Sequence, residues 1–224
     1  MHVAIIMNGN SRWATQRGLP STAARSEAVA VLRNTVGLAA TAGVRTLTLY
    51  ALSTPGCTRP RQEIDADLGV LDTYLRSDLQ RCLDRSIRVD VIGNNEQLRA
   101  ALPRNLACQG LGRGTTSRMN LRIVVDYSAH DSVVKAAWRS PHPRAPESFD
   151  QQLREIDQTA LPAGAVDLLV RTGGGRCRSE FMLWEVAYAR LHYVDCLWPD
   201  FTARCFQRAL AGYAIEPERV VSNA

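Results

Sequence analysis

The chain has 224 residues, of which 46% are hydrophobic and 22% are charged. These values are typical of a globular protein, exclude an intrinsically disordered chain, and favour a single domain over residues 1–224. The formal net charge is +5, and 27 residues are basic. Because no run of like charges and no aromatic–basic interleaving accompanies this excess, we do not expect nucleic acid as a partner.

Arginine dominates the basic residues, since Lys135 is the only lysine in the chain. A bias of the coding sequence towards arginine would explain this excess. A site that binds phosphate would explain it too, because the planar guanidinium group contacts phosphate bidentately.

The cysteine and apolar patterns predict a compartment. The six cysteines form no C-x-x-C pair, so we expect a cytoplasmic protein with reduced thiols. The longest apolar stretches are far shorter than the roughly 20 residues of a membrane span, so no integral membrane segment is expected. The four histidines are far apart in sequence and do not suggest a structural zinc site.

The first half of the chain alternates strands with helices. Residues 3–7 predict a strand that ends in a turn at residues 8–10, and residues 22–40 carry apolar side chains at helical spacing. A second strand is predicted over residues 46–52. Pro60 then suits the first turn of a helix whose leucines, at mostly four-residue intervals, form one apolar face.

The second half continues this alternation. A helix is predicted around residues 97–107, a plain loop over the glycine-rich residues 109–114, and a surface excursion over the proline-rich residues 140–146. Three further strands are predicted, over residues 89–92, 121–125 and 167–170. The whole pattern predicts an α/β domain with a central, mostly parallel sheet flanked by helices.

Two strand exits have unusual chemistry. In open α/β sheets, ligands bind beyond the carboxyl ends of the strands. After the first strand, Gly9 permits a close approach of the backbone and Arg12 adds positive charge. After the last strand come Arg171, Arg176 and Arg178. Together these residues predict a diphosphate pocket.

These residues also carry a family resemblance. HVAIIM at residues 2–7, followed by NGNSRWA, resembles the opening H-V-A-I-I-M-D-G-N-x-R-W-A of the cis-prenyltransferase family, typified by undecaprenyl diphosphate synthase. Later motifs of that family are resembled in order and spacing at residues 47–54, 167–174, 184–188 and 197–201. The resemblance implies one cis-prenyltransferase domain, an apolar tunnel for the prenyl chain, and a homodimer.

The sequence departs from the family at its catalytic centre. The magnesium-binding aspartate of D-G-N falls on Asn8, a poorer ligand for a hard cation, and the glutamate of A-Y-A-E-L falls on Arg190. Magnesium therefore stays a possible cofactor whose usual ligands are replaced, and no metal ligand is assigned. In the segment S-x-E-N-W-x-R, Ser53 and Arg59 persist while residues 55–57 differ. The predicted catalytic residues are Asn8, Ser53 and Arg59.

The two substrate sites of the family are retained to different degrees. The allylic motif is nearly intact, with Arg25 at the position of a family histidine. In the homoallylic pattern R-x-x-x-x-x-R-x-S, the second arginine falls on Cys177, which Arg176 or Arg178 could replace. The predicted substrate-binding residues are Gly9, Asn10, Arg12, Arg25, Arg171, Arg176, Arg178 and Ser179.

A retained allylic site beside lost elongation residues predicts a terpene-synthase-like enzyme. It would ionise a short allylic diphosphate, geranyl (C10) or farnesyl (C15), and cyclise or rearrange it with weak or no magnesium dependence. Two alternatives stay open. One is an irregular prenyltransferase resembling cyclolavandulyl diphosphate synthase, which couples dimethylallyl diphosphate. The other is a noncatalytic subunit of a cis-prenyltransferase complex.

Overall fold

The structure is a computed structural model that describes residues 1–52, 61–93, 117–139, 146–156, 164–175 and 181–215. Six strands form one sheet in the order β3-β4-β2-β1-β5-β6, and every neighbouring pair is parallel. The prediction of a parallel α/β sheet is therefore confirmed. The strands are β1 (His2–Ile6), β2 (Thr46–Leu52), β3 (Ile87–Ile92), β4 (Met119–Val125), β5 (Leu168–Arg171) and β6 (Arg190–Tyr193).

The described residues contain six α-helices and one 3-10 turn. The helices predicted over residues 22–40 and after Pro60 are confirmed, whereas the helix around residues 97–107 and the loop at 109–114 lie outside the described residues. No helix in the described ranges is long and apolar enough to cross a membrane. The helices are α1 (Asn10–Gln16), α2 (Ser21–Thr41), α3 (Arg61–Asp84), α4 (Ala129–Arg139), α5 (Pro146–Ile156) and α6 (Ala203–Ile215), and the 3-10 turn is Trp198–Asp200.

Pro146 corrects one prediction. We expected it to close a surface excursion, but it is the first residue of α5. Proline suits this position because the first helical N–H has no partner within the helix. Residues 140–145, the rest of that predicted excursion, lie outside the described residues.

The central strand β1 organises the core. All five of its residues are buried, and alternate side chains point to opposite faces of the sheet. Val3 and Ile5 pack with residues of α2 and α3, while Ala4 and Ile6 pack with Phe181 on the other face. Both faces of the sheet are thus covered, which leaves the strand ends to form a site.

His2 is a buried polar residue within β1. Its Nδ1 atom donates to the Gly164 carbonyl oxygen at 2.9 Å, so the other ring nitrogen, Nε2, accepts from the Thr48 hydroxyl at 2.7 Å. Burial lowers the pKa of His2 to about 4. The imidazole is therefore neutral at physiological pH, and both its nitrogens are satisfied inside the fold.

Candidate functional site

The carboxyl ends of three adjacent strands meet at one edge of the sheet. Ile6 of β1 pairs with Arg171 of β5, which in turn pairs with Tyr193 of β6. The loops that follow these strands therefore start side by side. This is the edge at which open α/β proteins bind ligands.

Thr172 joins the loops after β1 and β5. Its side chain is fully buried. The hydroxyl accepts from the Asn8 N–H at 2.9 Å and lies 2.9 Å from the Asn8 carbonyl oxygen, to which it donates. Since Asn8 and Thr172 are 164 positions apart in the chain, this one hydroxyl fixes the relative position of two distant loops.

A third segment, residues 194–198, supports both loops from behind; we call it the bracing segment. The Gly173 N–H donates to the Cys196 carbonyl oxygen at 2.8 Å, and the Gly174 N–H donates to the Val194 carbonyl oxygen at 3.2 Å. On the other side, the Trp198 N–H donates to the Asn8 carbonyl oxygen at 2.9 Å. A shift of the bracing segment would therefore move both loops.

Two glycines are required by this geometry. Gly9 has φ +115°, and a Cβ atom there would lie 2.8 Å from Leu197 Cδ2. Gly173 has φ +86°, and a Cβ atom there would lie 2.6 Å from Arg12 Nη2 and 3.2 Å from the Asn8 carbonyl oxygen. A side chain at either position would be strained and would collide with the site.

Arg12 reaches from α1 to the loop after β5. Its Nη2 atom donates to the Gly173 carbonyl oxygen at 2.8 Å, and the side chain is otherwise exposed. It contributes to the wall of an open cavity of about 620 Å³. The other lining residues are Gln16, Arg17, Gly173, Gly174, Gly175, Asp195, Cys196, Leu197 and Asp200.

Asp200 of this cavity is held by neighbouring side chains. Trp13 Nε1 donates to its Oδ1 atom at 2.8 Å, and Arg17 Nη2 lies 3.1 Å from both carboxylate oxygens. The Arg17 guanidinium group also stacks over the Trp13 ring at 4.5 Å. Asp200 and Arg17 thus neutralise each other, whereas the partner of Arg12 is an uncharged carbonyl group.

Asn10 presents an unsatisfied polar atom at the start of α1. Its Oδ1 atom is buried and has no hydrogen-bond partner among the described residues. A half-turn of the amide places Nδ2, a donor, in the same position. A buried polar atom without a partner is unfavourable in a fold that has no ligand for it, so Asn10 fits the predicted role of contacting substrate.

The remaining predicted residues lie at different places. Arg171 ends β5, and its Nη2 atom lies 3.3 Å from the position that a Cβ atom would take at Gly175, so its guanidinium group covers the glycine loop. Arg25 lies one turn into α2, where its Nη1 atom donates to the Ser21 hydroxyl at 3.1 Å. Ser53, Arg59, Arg176, Arg178 and Ser179 lie outside the described residues and stay predictions.

Arg190 lies away from Asn8 within one chain. It begins β6 opposite Leu168, which itself pairs with Val3. Asn8 follows Val3 by five residues, or roughly 16 Å of extended chain. The Arg190 Nη1 atom donates to the Tyr213 carbonyl oxygen, and the guanidinium group lies 4.9 Å from the Tyr213 ring centroid. Arg190 is therefore no part of the site that a single chain builds.

The donor set at the cavity does not fit the magnesium ion that the family resemblance implies. A hard dication needs several oxygen ligands, usually including carboxylates. Asn8 offers a neutral amide and Asp200 is already neutralised by Arg17, which leaves Asp195 as the remaining carboxylate among the described residues of the cavity wall. Within the part of the chain that the structure describes, no three His, Cys, Asp or Glu side chains come together as a cation site.

The fold and this site can now be compared with known proteins. Residues 6–220 match the family described as "Putative undecaprenyl diphosphate synthase". The chain therefore belongs to this cis-prenyltransferase family.

Individual relatives agree with this assignment. Isoprenyl transferase 1 of Bradyrhizobium diazoefficiens is 37% identical, over 99% of this chain and 94% of the relative. The ditrans,polycis-undecaprenyl-diphosphate synthase ((2E,6E)-farnesyl-diphosphate specific) of Pseudomonas syringae is 34% identical, over 97% of this chain and 89% of the relative.

A solved structure is similar over nearly the same length. Lavandulyl diphosphate synthase from Lavandula x intermedia, in complex with dimethylallyl diphosphate, superposes with a TM-score of 0.84. Its sequence is 26% identical, and the match covers 97% of this chain and 96% of that one. That related protein thus binds a short prenyl diphosphate.

Sequence reasoning missed two parts of the site. Thr172 was passed over although it is the first polar residue after a buried strand, a position from which a hydroxyl reaches the neighbouring loop. Only the last two residues of the bracing segment belong to a recognised family motif. Its supporting role is not visible in the sequence, because its contacts are made by main-chain atoms, which side-chain identity does not reveal.

Proposed function

We propose that this chain is a terpene-synthase-like enzyme that ionises one short allylic prenyl diphosphate and cyclises or rearranges the product, with weak or no dependence on magnesium. The observation that carries the proposal is the Arg12 guanidinium group, which lines the cavity and donates to an uncharged carbonyl. Arg12 and the neutral Asn8 both lie against Gly173. The site thus combines positive charge with the loss of the family's carboxylate.

The proposed first step breaks the bond between the allylic carbon and the diphosphate oxygen. Both electrons go to the leaving diphosphate, and an allylic cation remains. Arg12 is positioned to stabilise the negative charge that develops on the diphosphate, with Arg171 at the end of the adjacent strand. Groups that are fixed before the reaction stabilise such charge without reorganising, and charge-assisted hydrogen bonds are about twice as strong as neutral ones.

The proposed second step consumes the cation within one molecule. An internal double bond attacks it to close a ring or shift the skeleton, and the resulting cation loses a proton to give an olefin or captures water to give an alcohol and a proton. Two replacements support this course over elongation. The family's aspartate is Asn8, and residues 55–57 differ from its E-N-W segment.

Two of the helices that cover the sheet provide an argument for a short prenyl chain in the substrate. Arg33 of α2 and Asp78 of α3 form a bidentate ion pair, at 2.7 Å from Nε to Oδ1. The pair and Tyr74 line a cavity of about 540 Å³ between the two helices. Arg33 is eight residues beyond Arg25, or roughly 12 Å along α2. Arg33 is partly exposed, but the Asp78 carboxylate is buried, and a buried carboxylate in this cavity disfavours a long apolar chain and suits C10 or C15.

We also propose that two copies of the chain pair along β6. This strand is one of the two edges of the described sheet, and exposed aromatic side chains lie near it in the chain: Tyr188 is 82% exposed and Trp184 is 44% exposed. An open edge beside exposed aromatics is favourable for association. Light scattering should give twice the mass of one chain, and Tyr188→Arg should lower it; a monomeric unaltered protein would contradict the pairing.

The test of the function is incubation of the pure protein with geranyl or farnesyl diphosphate alone, with EDTA and separately with magnesium. The expected result is a hydrocarbon or alcohol identified by mass spectrometry, together with released diphosphate, under both conditions. Arg12→Ala is the control for contamination, and it should abolish most of the release. No turnover of either substrate would refute the proposal and leave the irregular prenyltransferase and the noncatalytic subunit as alternatives.

The similarity to lavandulyl diphosphate synthase favours one second candidate. On this account the chain couples two dimethylallyl diphosphates, and the Arg171 loop binds the second. Dimethylallyl diphosphate alone should then yield a branched C10 diphosphate, with geranyl and farnesyl diphosphates inert. A terpenoid from geranyl or farnesyl diphosphate would exclude it.

A further inference from the structure

Two cysteines lie beside the proposed diphosphate site. Cys196 belongs to the bracing segment and lines the cavity, and Cys205 lies in the first turn of α6. Both thiols are free and half-buried, and the two side chains interact with each other. They are therefore close in space, although nine positions of chain separate them.

The environment of Cys205 favours its thiolate. The Thr202 hydroxyl accepts from the Cys205 N–H and lies 3.3 Å from the sulfur, to which it donates its own proton. Burial on its own would raise the pKa of Cys205, but the hydrogen bonds from Thr202 and Cys196, together with Arg208, outweigh it and lower the pKa. A thiolate at the start of a helix and near an arginine is the nucleophilic form of cysteine.

Cys196 has the complementary character. Burial, followed by the neighbouring Cys205, raises its pKa to about 12. The pair thus consists of one thiol whose pKa is lowered and one whose pKa is raised. This is the arrangement of an attacking and a resolving cysteine.

We propose that Cys196 and Cys205 are a redox modification site, which low-molecular-weight disulfides oxidise to an intramolecular disulfide that weakens diphosphate binding. Cys205 thiolate attacks one sulfur of the small disulfide and expels the other half as a thiolate. Cys196, on losing its proton, attacks the Cys205 sulfur and releases the second half. The protein loses two electrons and two protons, and the small disulfide is reduced to two thiols.

The coupling to the site passes through the main chain. The Cys196 carbonyl oxygen accepts the Gly173 N–H, and Arg12 donates to the carbonyl oxygen of the same glycine. A sulfur–sulfur bond of about 2.0 Å is much shorter than a thiol hydrogen bond, so its formation draws Cys196 towards α6. This movement loosens the bond to Gly173 and displaces the loop to which Arg12 is anchored.

We expect the disulfide to lower diphosphate affinity modestly, and bound diphosphate to oppose formation of the disulfide in return. Weakening one hydrogen bond corresponds to a roughly threefold to tenfold loss of diphosphate affinity. By linkage, saturating diphosphate must oppose the disulfide by the same factor. The coupling to binding rests on the proposed function, whereas formation of the disulfide does not.

The experiment equilibrates the full chain in glutathione buffers of graded redox ratio, with dithiothreitol as the reduced reference. Peptide mapping by mass spectrometry should find a disulfide between Cys196 and Cys205. Calorimetry with inorganic diphosphate should show the threefold to tenfold loss of affinity on oxidation, reversed by dithiothreitol. Saturating inorganic diphosphate should shift the redox midpoint towards more oxidising buffers.

Two variants make the outcome specific. Cys205→Ser keeps a hydrogen-bonding group of similar size, and its diphosphate affinity should no longer respond to glutathione. Cys82→Ala removes a thiol that is buried against other parts of the fold, and it should respond like the unaltered chain.

Three results would overturn the inference: no disulfide at any glutathione ratio, a disulfide that involves Cys57, Cys82, Cys108 or Cys177 instead, or the expected disulfide with unchanged diphosphate affinity. A fully reduced chain that fails to bind inorganic diphosphate would refute the proposed function and the binding consequence together. In that case, peptide mapping by mass spectrometry still shows whether the disulfide between Cys196 and Cys205 forms.

Discussion

Polar side chains at the carboxyl end of the sheet and those elsewhere in the fold differ in how fully the protein supplies their partners. Away from that end, Arg33 is paired with the buried carboxylate of Asp78, and both nitrogens of the buried His2 have partners. At the carboxyl end, Arg12 contacts an uncharged carbonyl, and Asn10 Oδ1 has no partner in the part of the chain that the structure describes. Polar groups that the fold satisfies contribute to stability, and those it leaves available are suited to a ligand.

Replacement of Arg12 should have the largest effect on binding. Arg12→Ala removes the charge-assisted donor and should weaken binding of inorganic diphosphate by about 100-fold, the worth of a hydrogen bond to a charged group. Arg12→Lys keeps the charge and should recover part of the loss. Calorimetry measures both, and thermal unfolding of Arg12→Ala should be nearly unchanged. A large drop in melting temperature with unchanged diphosphate binding would show that Arg12 serves stability and not binding.

Replacement of Asp78 should show the opposite pattern. Its carboxylate is buried, and the hydrogen bond from Arg33 holds the pKa of Asp78 below its usual range. Asp78→Ala leaves the Arg33 charge without its partner. Because Arg33 is partly exposed, we expect about 2 kcal/mol of destabilisation, less than for a fully buried pair. Urea unfolding measures this value.

The double variant Arg33→Met with Asp78→Leu is the matched control, since it removes both charges and should regain much of the stability. Both proteins should bind inorganic diphosphate like the unaltered chain. Loss of that binding would show that the Arg33–Asp78 pair belongs to the proposed diphosphate site.

His2 predicts a pH dependence of stability. Its pKa is about 4 in the fold and about 6.5 in an unfolded chain, so the unfolded state binds the extra proton between these values. Stability should therefore fall as pH drops through that window, by about 2 kcal/mol between pH 7 and pH 5. Urea unfolding of His2→Asn at both pH values should show a smaller fall; an equal fall would exclude His2 as the source.

Gly173 tests the steric argument at the site. Gly173→Ala places a methyl group against Arg12 and Asn8 at positive φ, and we expect about tenfold weaker binding of inorganic diphosphate. Gly18→Ala is a matched control, because Gly18 also has positive φ but nothing lies within 4 Å of its Cβ position. Equal effects of the two substitutions on binding would indicate backbone strain alone.

The elements predicted from sequence are those with strong local patterns. The strand over β2 and the helices α2 and α3 are long, and their apolar spacing is regular. The short elements α1 and β6 were not predicted. They have seven and four residues, which is too few for apolar side chains to show a helical or strand repeat. The helices α4 to α6 were also missed, although they are longer.

The parts of the site that depend on the identity of single residues could be predicted from the sequence. The glycines and arginines at the two strand exits were identified, and the structure brings Arg12 to the loop after β5. The hydroxyl of Thr172, the bracing segment and the Cys196–Cys205 contact were not, because each joins residues through the tertiary fold. The position of Arg190 illustrates the same limit, since a motif alignment does not place a residue in space.

The central claim is ionisation of an allylic diphosphate by the protein's own cationic groups. The most direct measurement is the rate of diphosphate release from farnesyl and geranyl diphosphates, for the unaltered chain and for Asn8→Asp, as free magnesium is raised from EDTA conditions. We expect the unaltered chain to release diphosphate in EDTA, with little gain from magnesium, and Asn8→Asp to become magnesium-dependent. Release by the unaltered chain that requires magnesium would contradict the account.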